Sequence, residues 1–465
     1  MGRRERKFFP SLSGTPKPDD RSAALTEAMP IVDDKLAVRI LDLAVRIGEA
    51  LLLSGANANE VTGTIVRVSA AYGLEPVHVN MTYNSITAAH HRSGAERPLT
   101  ILRVVRGVVP DHERLLRLQA LVVDIREGMR LEDATERYRE IRRTRFRYRP
   151  SVVIASQAFL AAGVAIMFGG QWLVITLAFV AAALAALTQF AFARAQIPYF
   201  FSQIAGAFVL TMVAALTPLL ELTGLEAAFT VRPTVIVASG VVLMLAGLTV
   251  VGAAQDAIDG FALTAMGRIL ELITYTLGVV LGILAGLQTA SVIGLAMAPP
   301  TEPLPLGPIP LQFLGAAIIA VAVAVYNGAG ARIIVVSGVL SLVAWLVYLV
   351  AENLGFAAAA ASGLGAFAGS FIGTLIAYRL HVPSVAITTA AILPMVPGAA
   401  VFRGLLSIVE SGDSPELLLG GFTVLAAAAT IGISLAVGAS LGIYVGQPVR
   451  ASLRGVNRAR ARLRR

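Results

Sequence analysis

The stretch PSVVIASQAFLAAGVAIMFGGQWLVITLAFVAAALAALTQFAFAR, Pro150 to Arg194, decides the fold class. Its first 44 residues carry no charge. An α-helix rises 1.5 Å per residue, so about 20 residues cross a hydrocarbon layer about 30 Å thick. The stretch is long enough to cross twice, and Gly169-Gly170-Gln171 at its middle marks a turn. It reads as a helical hairpin in a bilayer.

Eight more charge-free stretches follow: 195–220, 233–255, 272–301, 303–331, 333–351, 353–378, 380–402 and 417–449. Each is at least 19 residues long, so with the hairpin they predict ten transmembrane helices. Composition agrees. The 465 residues are 56% hydrophobic and 14% charged, with mean hydropathy +0.74. A soluble domain carries about 25% charged residues, so a single water-soluble globule is excluded. The chain has no cysteine, which excludes thiol redox chemistry and cysteine-based zinc sites. His78, His90, His91, His112 and His381 show no metal-ligand spacing, and no metal site is expected. No phosphate-cradling glycine loop with lysine is present, so neither ATP-driven transport nor a cofactor is indicated.

The net charge of +9 is unevenly spread. Residues 151–449 hold six Arg, no Lys and ten acids; the tail from Arg450 holds seven Arg and no acid. Arg142, Arg143, Arg145, Arg147 and Arg149 run directly into Pro150. Cations at the ends of an uncharged core are a topology signal and a contact for anionic lipid, not a nucleic-acid patch. With the N-terminal region inside, inner connections contain Arg194, Arg268, Arg332 and Arg379, and outer ones contain Arg232 and Arg403. Seven of the ten acids fall outside. This positive-inside pattern and the even span count predict a multi-pass cytoplasmic-membrane protein with both termini in the cytoplasm.

Residues 1–30 are polar, with Pro10, Pro16, Pro18 and Pro30, and lack an apolar run of signal-peptide length. They read as a disordered arm. Residues 31–149 read as a small cytoplasmic α+β domain. Leu36, Ile40, Leu43, Ile47 and Leu51 recur at helical spacing, Gly55 ends that helix, and Asn57 with Glu60 opens another. Val77, Val79, Met81 and Tyr83 alternate with polar residues as a strand; Leu99 to Val105 is a second strand. Helices are expected from Pro110–Asp111 to about Glu127 and from Leu131 to Arg145.

The membrane core divides into 150–301 and 303–449, followed by the Arg-rich cytoplasmic tail 450–465. Gly206-Ala207-Phe208 in the third span matches Gly365-Ala366-Phe367 in the eighth. Pro233-Thr234-Val235 matches Pro383-Ser384-Val385, and Ala246-Gly247 matches Pro397-Gly398. Five helices are repeated as five, and an odd number makes the second copy inverted. Inverted repeats with broken helices at the midplane are a design of secondary transporters.

Two segments carry candidate chemistry. GLTVVGAAQDAIDGFALTAMGRILE, Gly247 to Glu271, places Gln255, Asp256, Asp259, Arg268 and Glu271 near the predicted inner boundary. Asp256 and Asp259 share a helical face and could carry protons; Glu271 could pair with Arg268. In the second half, Pro394, Pro397 and Gly398 interrupt an apolar span, with Arg403 following. Such a break frees backbone amides for a carboxylate and carbonyls for an ammonium group. Gln157, Gln189, Gln203, Asn327 and Tyr378 are expected to make interhelical hydrogen bonds, and the core glycines to permit close packing.

The chain resembles the bacterial threonine/serine exporter family. The resemblance rests on LLLSGANANEVTGTIVRVSAAYGLEPVHVNMTYNSITAA (Leu51–Ala89), GLTVVGAAQDAIDGFALTAMGR and AILPMVPGAAVFRGL, and spans residues 35 to 447. It implies export of threonine and serine from the cytoplasm, driven by the proton motive force. On that reading Asp256, Asp259 and Glu271 serve proton coupling, and Gln255, Arg268, Pro394, Pro397, Gly398 and Arg403 serve the substrate. Rival readings are a dicarboxylate (succinate-type) exporter on the same scaffold and a membrane-anchored enzyme or sensor acting through the N-terminal domain. Oligomeric state stays open.

Overall fold

The computed structural model describes residues 33–91, 97–105, 107–223, 232–244, 247–295, 305–380, 384–411 and 414–463. The expected arm 1–30 and the landmarks Ala246, His381 and Pro383 lie outside the described residues, as does the side chain of Tyr378.

The N-terminal unit contains α1 (Asp34–Leu53), α2 (Ala58–Ala71), β1 (Val77–Thr82), β2 (Ser85–His90), β3 (Leu99–Val104), α3 (His112–Arg126) and α4 (Leu131–Arg143). Ile40, Leu43, Ile47 and Leu51 form the buried stripe of α1, packed on Val61, Ile65 and Val68 of α2. Gly48 is the close-approach point: a Cβ there would sit 2.6 Å from Ile65 Cδ1. The three strands form an antiparallel sheet in the order β1-β2-β3. β2 has no counterpart in the sequence reading. Its inward residues Ile86, Ala88 and His90 give a weak alternation, and alanine is depleted in strands. Thr82 pairs with Ser85, leaving Tyr83–Asn84 as a two-residue turn. Tyr83 adopts φ 36°, a left-handed conformation uncommon for a bulky residue.

The rest is helical: α5 (Pro150–Met167), α6 (Trp172–Arg194), α7 (Tyr199–Ala215), α8 (Pro233–Met244), α9 (Gly247–Ile258), α10 (Ala262–Val292), α11 (Ile309–Tyr326), α12 (Ala331–Asn353), α13 (Ala358–Leu380), α14 (Ser384–Ile392), α15 (Gly398–Glu410) and α16 (Pro415–Leu463). Among the described residues, eight helices are long and apolar enough to cross a membrane. Counting α14 with α15, bent by 51° at a short break, gives nine. The chain is a polytopic helical membrane protein. Of the ten expected spans, the fourth is described as α8 up to Met244 and α9 from Gly247. The fifth begins earlier than the charge pattern indicates: α10 starts at Ala262 and takes Arg268 and Glu271 into the helix, because both find partners there.

The helices meet in two matching sets. α5, α6 and α7 pack in series, α8 lies against α6 and α7, and α10 covers α7 and α9. Likewise α11, α12 and α13 pack in series, α14 lies against α12 and α13, and α16 covers α13 and α15. The sets join through α5 on α11, with α9 also against α16 and α15 against α10. Glycines recur at the same contacts. A Cβ on Gly282 would meet the Ile204 carbonyl oxygen, and one on Gly438 that of Gly363; Gly286 and Gly442 likewise face the carbonyls of Phe208 and Phe367. This is small-residue spacing of four along α10 and α16, which lets helix backbones approach.

α5 leaves the N-terminal unit and ends where the Met167 carbonyl accepts the Gly307 amide at 2.8 Å. α11 returns to it, and the Tyr148 hydroxyl donates to the Ala329 carbonyl at 2.7 Å. The bundle therefore has a domain-facing end, at the α9–α10 and α11–α12 turns, and a remote end near Gly169 and Gly307.

Candidate functional site

The apolar core of the second set contains a helix break. There Pro394 lacks an amide and cannot continue α14, so Leu393–Met395 tightens to a 3-10 turn. Pro397 then starts α15 at Gly398. A helix start leaves first-turn amides unpaired. Here the Gly398 amide turns back to the Val396 carbonyl, and the Ala399 amide has no backbone acceptor among the described residues. Arg403 lies one turn further along the same face. Both residues line a cavity of about 300 Å³. Its walls come from both sets, including Val241 of α8, Ile319 of α11, Tyr348 of α12 and Ser362 of α13.

The cavity is mostly apolar, so its few polar groups stand out. No carboxylate among the described residues lies within ion-pair distance of Arg403, although that residue is half-buried. A guanidinium held out of water without a partner is costly, and an anionic ligand group would offset that cost. The positive end of α15 adds to the same preference. Pro394, Pro397 and Arg403 are thus brought together, with Gly398 between them along the chain. The cavity also reaches Phe168, Leu306 and Ala358, so it lies toward the remote end of the bundle.

In the first set, α8 is described to Met244 and α9 from Gly247. Gln203, wholly buried on α7, donates to the Met244 carbonyl at 3.1 Å and accepts from Gln189 at 2.9 Å. The interhelical role expected of both glutamines is present. Gln157 hydrogen-bonds Tyr326 between α5 and α11, as expected for it too.

The polar residues at the end of α9 sit elsewhere. Gln255, Asp256 and Asp259 end α9 at the domain-facing end, under the first turn of α2. The Ala58 amide donates to Asp256 Oδ1 at 3.4 Å, Asn57 to Gln255 Oε1 at 3.3 Å, and Asn59 to Asp259 Oδ2 at 3.2 Å. Asn57 holds the N-cap position of α2, but its side chain goes to Gln255, not to its own helix. Asp256 is wholly buried, and Arg268 Nε approaches its Oδ2 at 3.2 Å. Gly252 makes that approach possible, since a Cβ there would lie 2.6 Å from an Arg268 terminal nitrogen. Arg268 therefore pairs with Asp256, not with Glu271 as its spacing suggested. The Tyr83 phenol hydrogen-bonds Glu271, while burial and that carboxylate push the phenol above its ordinary range and keep it a donor. The Tyr83 ring lies over Gly267, and the Thr264 hydroxyl accepts the Tyr83 amide at 3.1 Å. The acidic residues and Arg268 form a domain-docking cluster, distant in the fold from the Pro394–Arg403 cavity. Among the described residues no group of acids and histidines could hold a metal ion.

The comparisons with known proteins bear on the whole chain. Residues 42–290 match the family described as "Putative threonine/serine exporter", and residues 312–445 match "Threonine/Serine exporter, ThrE". A Mycobacterium tuberculosis protein named "Probable threonine/serine exporter" is 32% identical over 430 residues, covering 90% of this chain and 78% of the relative. A Corynebacterium glutamicum "Threonine/serine exporter" is 30% identical over 455 residues, covering 95% and 90% respectively. No solved structure matches the chain. Matches of this extent, across both membrane halves and the N-terminal unit, mean that the chain belongs to the threonine/serine exporter family.

Proposed function

We propose that this protein is a secondary transporter that exports threonine and serine across the cytoplasmic membrane, driven by the proton motive force. The relatives are named for transport, not catalysis, and the chain is not an enzyme. The observation that carries the substrate reading is Arg403, unpaired beside the start of α15 in an apolar cavity. One guanidinium and one free amide suit one carboxylate. The carbonyls at the end of α14 suit the ammonium of the same zwitterion.

The N-terminal unit and the Arg-rich tail lie in the cytoplasm on this reading, and the Arg-rich ends touch anionic lipid. The ten crossings then form two inverted five-helix repeats, supported by the matching helix neighbours and glycine contacts. The cavity opens outward, while the N-terminal unit covers the inner end. Asp256 is the proton carrier, with Asp259 and Glu271 beside it. Protonating Asp256 removes the charge that holds Arg268 and the Ala58 amide, loosening α9 from α2. Alternating access follows from movement of the broken elements against the rest.

The test is counterflow in proteoliposomes with labelled threonine, serine and succinate, with and without a pH gradient. Saturable threonine and serine exchange in the wild type is expected. In Asp256→Asn, exchange without a gradient should persist and gradient-driven accumulation should be lost. Exchange of succinate alone would overturn the substrate, and gradient-driven transport by Asp256→Asn would overturn the proton role.

A further inference from the structure

The regions around Met244 and Met395 invite a residue-by-residue comparison. On α7, a Cβ at Gly206 would sit 2.6 Å from Met244 Cε; on α13, a Cβ at Gly365 would sit 2.7 Å from Met395 Sδ. Each methionine is followed three residues later by the glycine that starts the next helix, Gly247 or Gly398. Three residues before Gly206 is Gln203; three residues before Gly365 is Ser362. The two occupy equivalent places, one helical turn from the methionine contact. Gln203 is long enough to reach the Met244 carbonyl. Ser362 is too short to do the same.

Ser362 is only 2% exposed, yet its hydroxyl has no hydrogen-bond partner among the described residues. Ser337 and Ser370 also lack partners, but their oxygens are fully enclosed, whereas that of Ser362 is not. Ser202, Thr211, Ser239, Thr276 and Thr374 all return their hydroxyls to a carbonyl of the preceding turn. The Ser362 side chain instead lines the cavity that contains Arg403 and Pro394. A buried hydroxyl without a partner costs free energy, and a ligand that pairs with it recovers that cost.

We infer that Ser362 is a specificity-determining residue that hydrogen-bonds the side-chain hydroxyl of the substrate. The inference rests on the proposed threonine and serine transport. A hydroxyl can donate to and accept from another hydroxyl, whereas an ammonium is better served by the carbonyls at the end of α14. The remaining walls near Ser362, such as Val241, Ile319 and Ala358, are apolar and leave a substrate hydroxyl few other partners. A site built to pair with a hydroxyl rejects the isostere that lacks it, because its own polar group then stays unpaired. Ser362 thus favours threonine over valine and serine over alanine.

The experiment is competition in threonine counterflow. Unlabelled threonine, valine, serine and alanine compete with labelled threonine in proteoliposomes of wild type, Ser362→Ala, Ser362→Thr and Tyr348→Phe. In Ser362→Ala the preference for threonine over valine should fall roughly 3- to 10-fold, chiefly through weaker threonine binding. Ser362→Thr retains a hydroxyl and should keep a preference for the hydroxylated substrate. It also carries the test if Ser362→Ala does not fold, because its extra methyl should shift the preference from threonine toward serine. An unchanged preference for threonine over valine in a transporting Ser362→Ala protein, or an unchanged preference between threonine and serine in a transporting Ser362→Thr protein, would overturn the inference alone. So would loss of preference in Tyr348→Phe instead. Absence of threonine exchange in the wild type would overturn the substrate reading, and this inference with it.

Discussion

The region around Met244 and the break between Met395 and Gly398 share a methionine three residues before a glycine, a facing glycine and a place in the helix order. They differ in what lies against them. Gln203 and Gln189 occupy the first, and the helix beyond it, α9, is tied down at Asp256 by the N-terminal unit. The second is met by Ser362, which fills nothing, and α15 beyond it carries an unpaired Arg403 into the cavity. One motif thus serves as a strut when its polar groups are paired from within the protein. It serves as a binding site when they are left for a ligand.

The largest effect expected from breaking this contrast is at Arg403. Arg403→Gln removes the cation at the open break, and a buried ion pair with a ligand carboxylate is worth about 2–5 kcal/mol. Threonine exchange should fall by roughly 30- to 5,000-fold, with Arg403→Lys keeping part of it. Initial counterflow rates over a range of threonine concentrations check this. A full rate in Arg403→Gln would detach the cavity from transport.

Next comes the region around Met244. Gln203→Ser gives it the residue found at the equivalent place in the second set. It leaves the Met244 carbonyl and the Gln189 amide without their partner, at about 1–3 kcal/mol. Thermal unfolding in detergent should shift down, while Ser362→Ala should leave stability near the wild-type value. Equal shifts in the two variants would mean that the two places are not different in kind.

How much of this was legible follows from where the partners sit in the chain. Pro394, Pro397 and Gly398 announce a broken helix locally, because proline and glycine change the backbone they belong to. Gln189 and Gln203 stand out as polar residues in apolar helices. The burial of Asp256 was not legible: its partners Ala58 and Arg268 reach it through the fold, and Ala58 is 198 residues away in the chain. Spacing alone pointed Arg268 to Glu271, since those two are neighbours on one helix. Ser362 was hidden for another reason. A serine among alanines and glycines reads as a packing residue, and only its unpaired hydroxyl in a cavity separates it from Ser202 or Ser239.

A smaller effect is expected where the N-terminal unit holds the first half. Tyr83→Ala removes the ring over Gly267 and the hydrogen bond to Glu271, at about 1–2 kcal/mol. Hydrogen exchange of residues 57–59 and 255–267 should quicken, with the segment around the break in the second half unchanged. Faster exchange at Leu393–Gly398 in that variant would show that the domain also grips the break in the second half.

The smallest effect concerns the domain's hold on the second half, which is at the α11–α12 turn and not at a break. There the His112 amide donates to the Asn327 carbonyl at 2.8 Å, and the His112 imidazole is buried, with its Nδ1 unpaired. Burial pushes its pKa down from 6.5 to about 4. The folded state therefore keeps this ring neutral while the unfolded state takes up a proton below pH 6.5. Stability falls as pH drops through the window from 6.5 to 4 and levels off below it. Between pH 7.5 and 6 the loss is about 0.8 kcal/mol. Unfolding midpoints of wild type and His112→Gln, followed over that range, should converge as pH falls, because the variant lacks the titrating ring. Parallel curves would mean that the ring is solvated and that the domain meets the second half more loosely than the first.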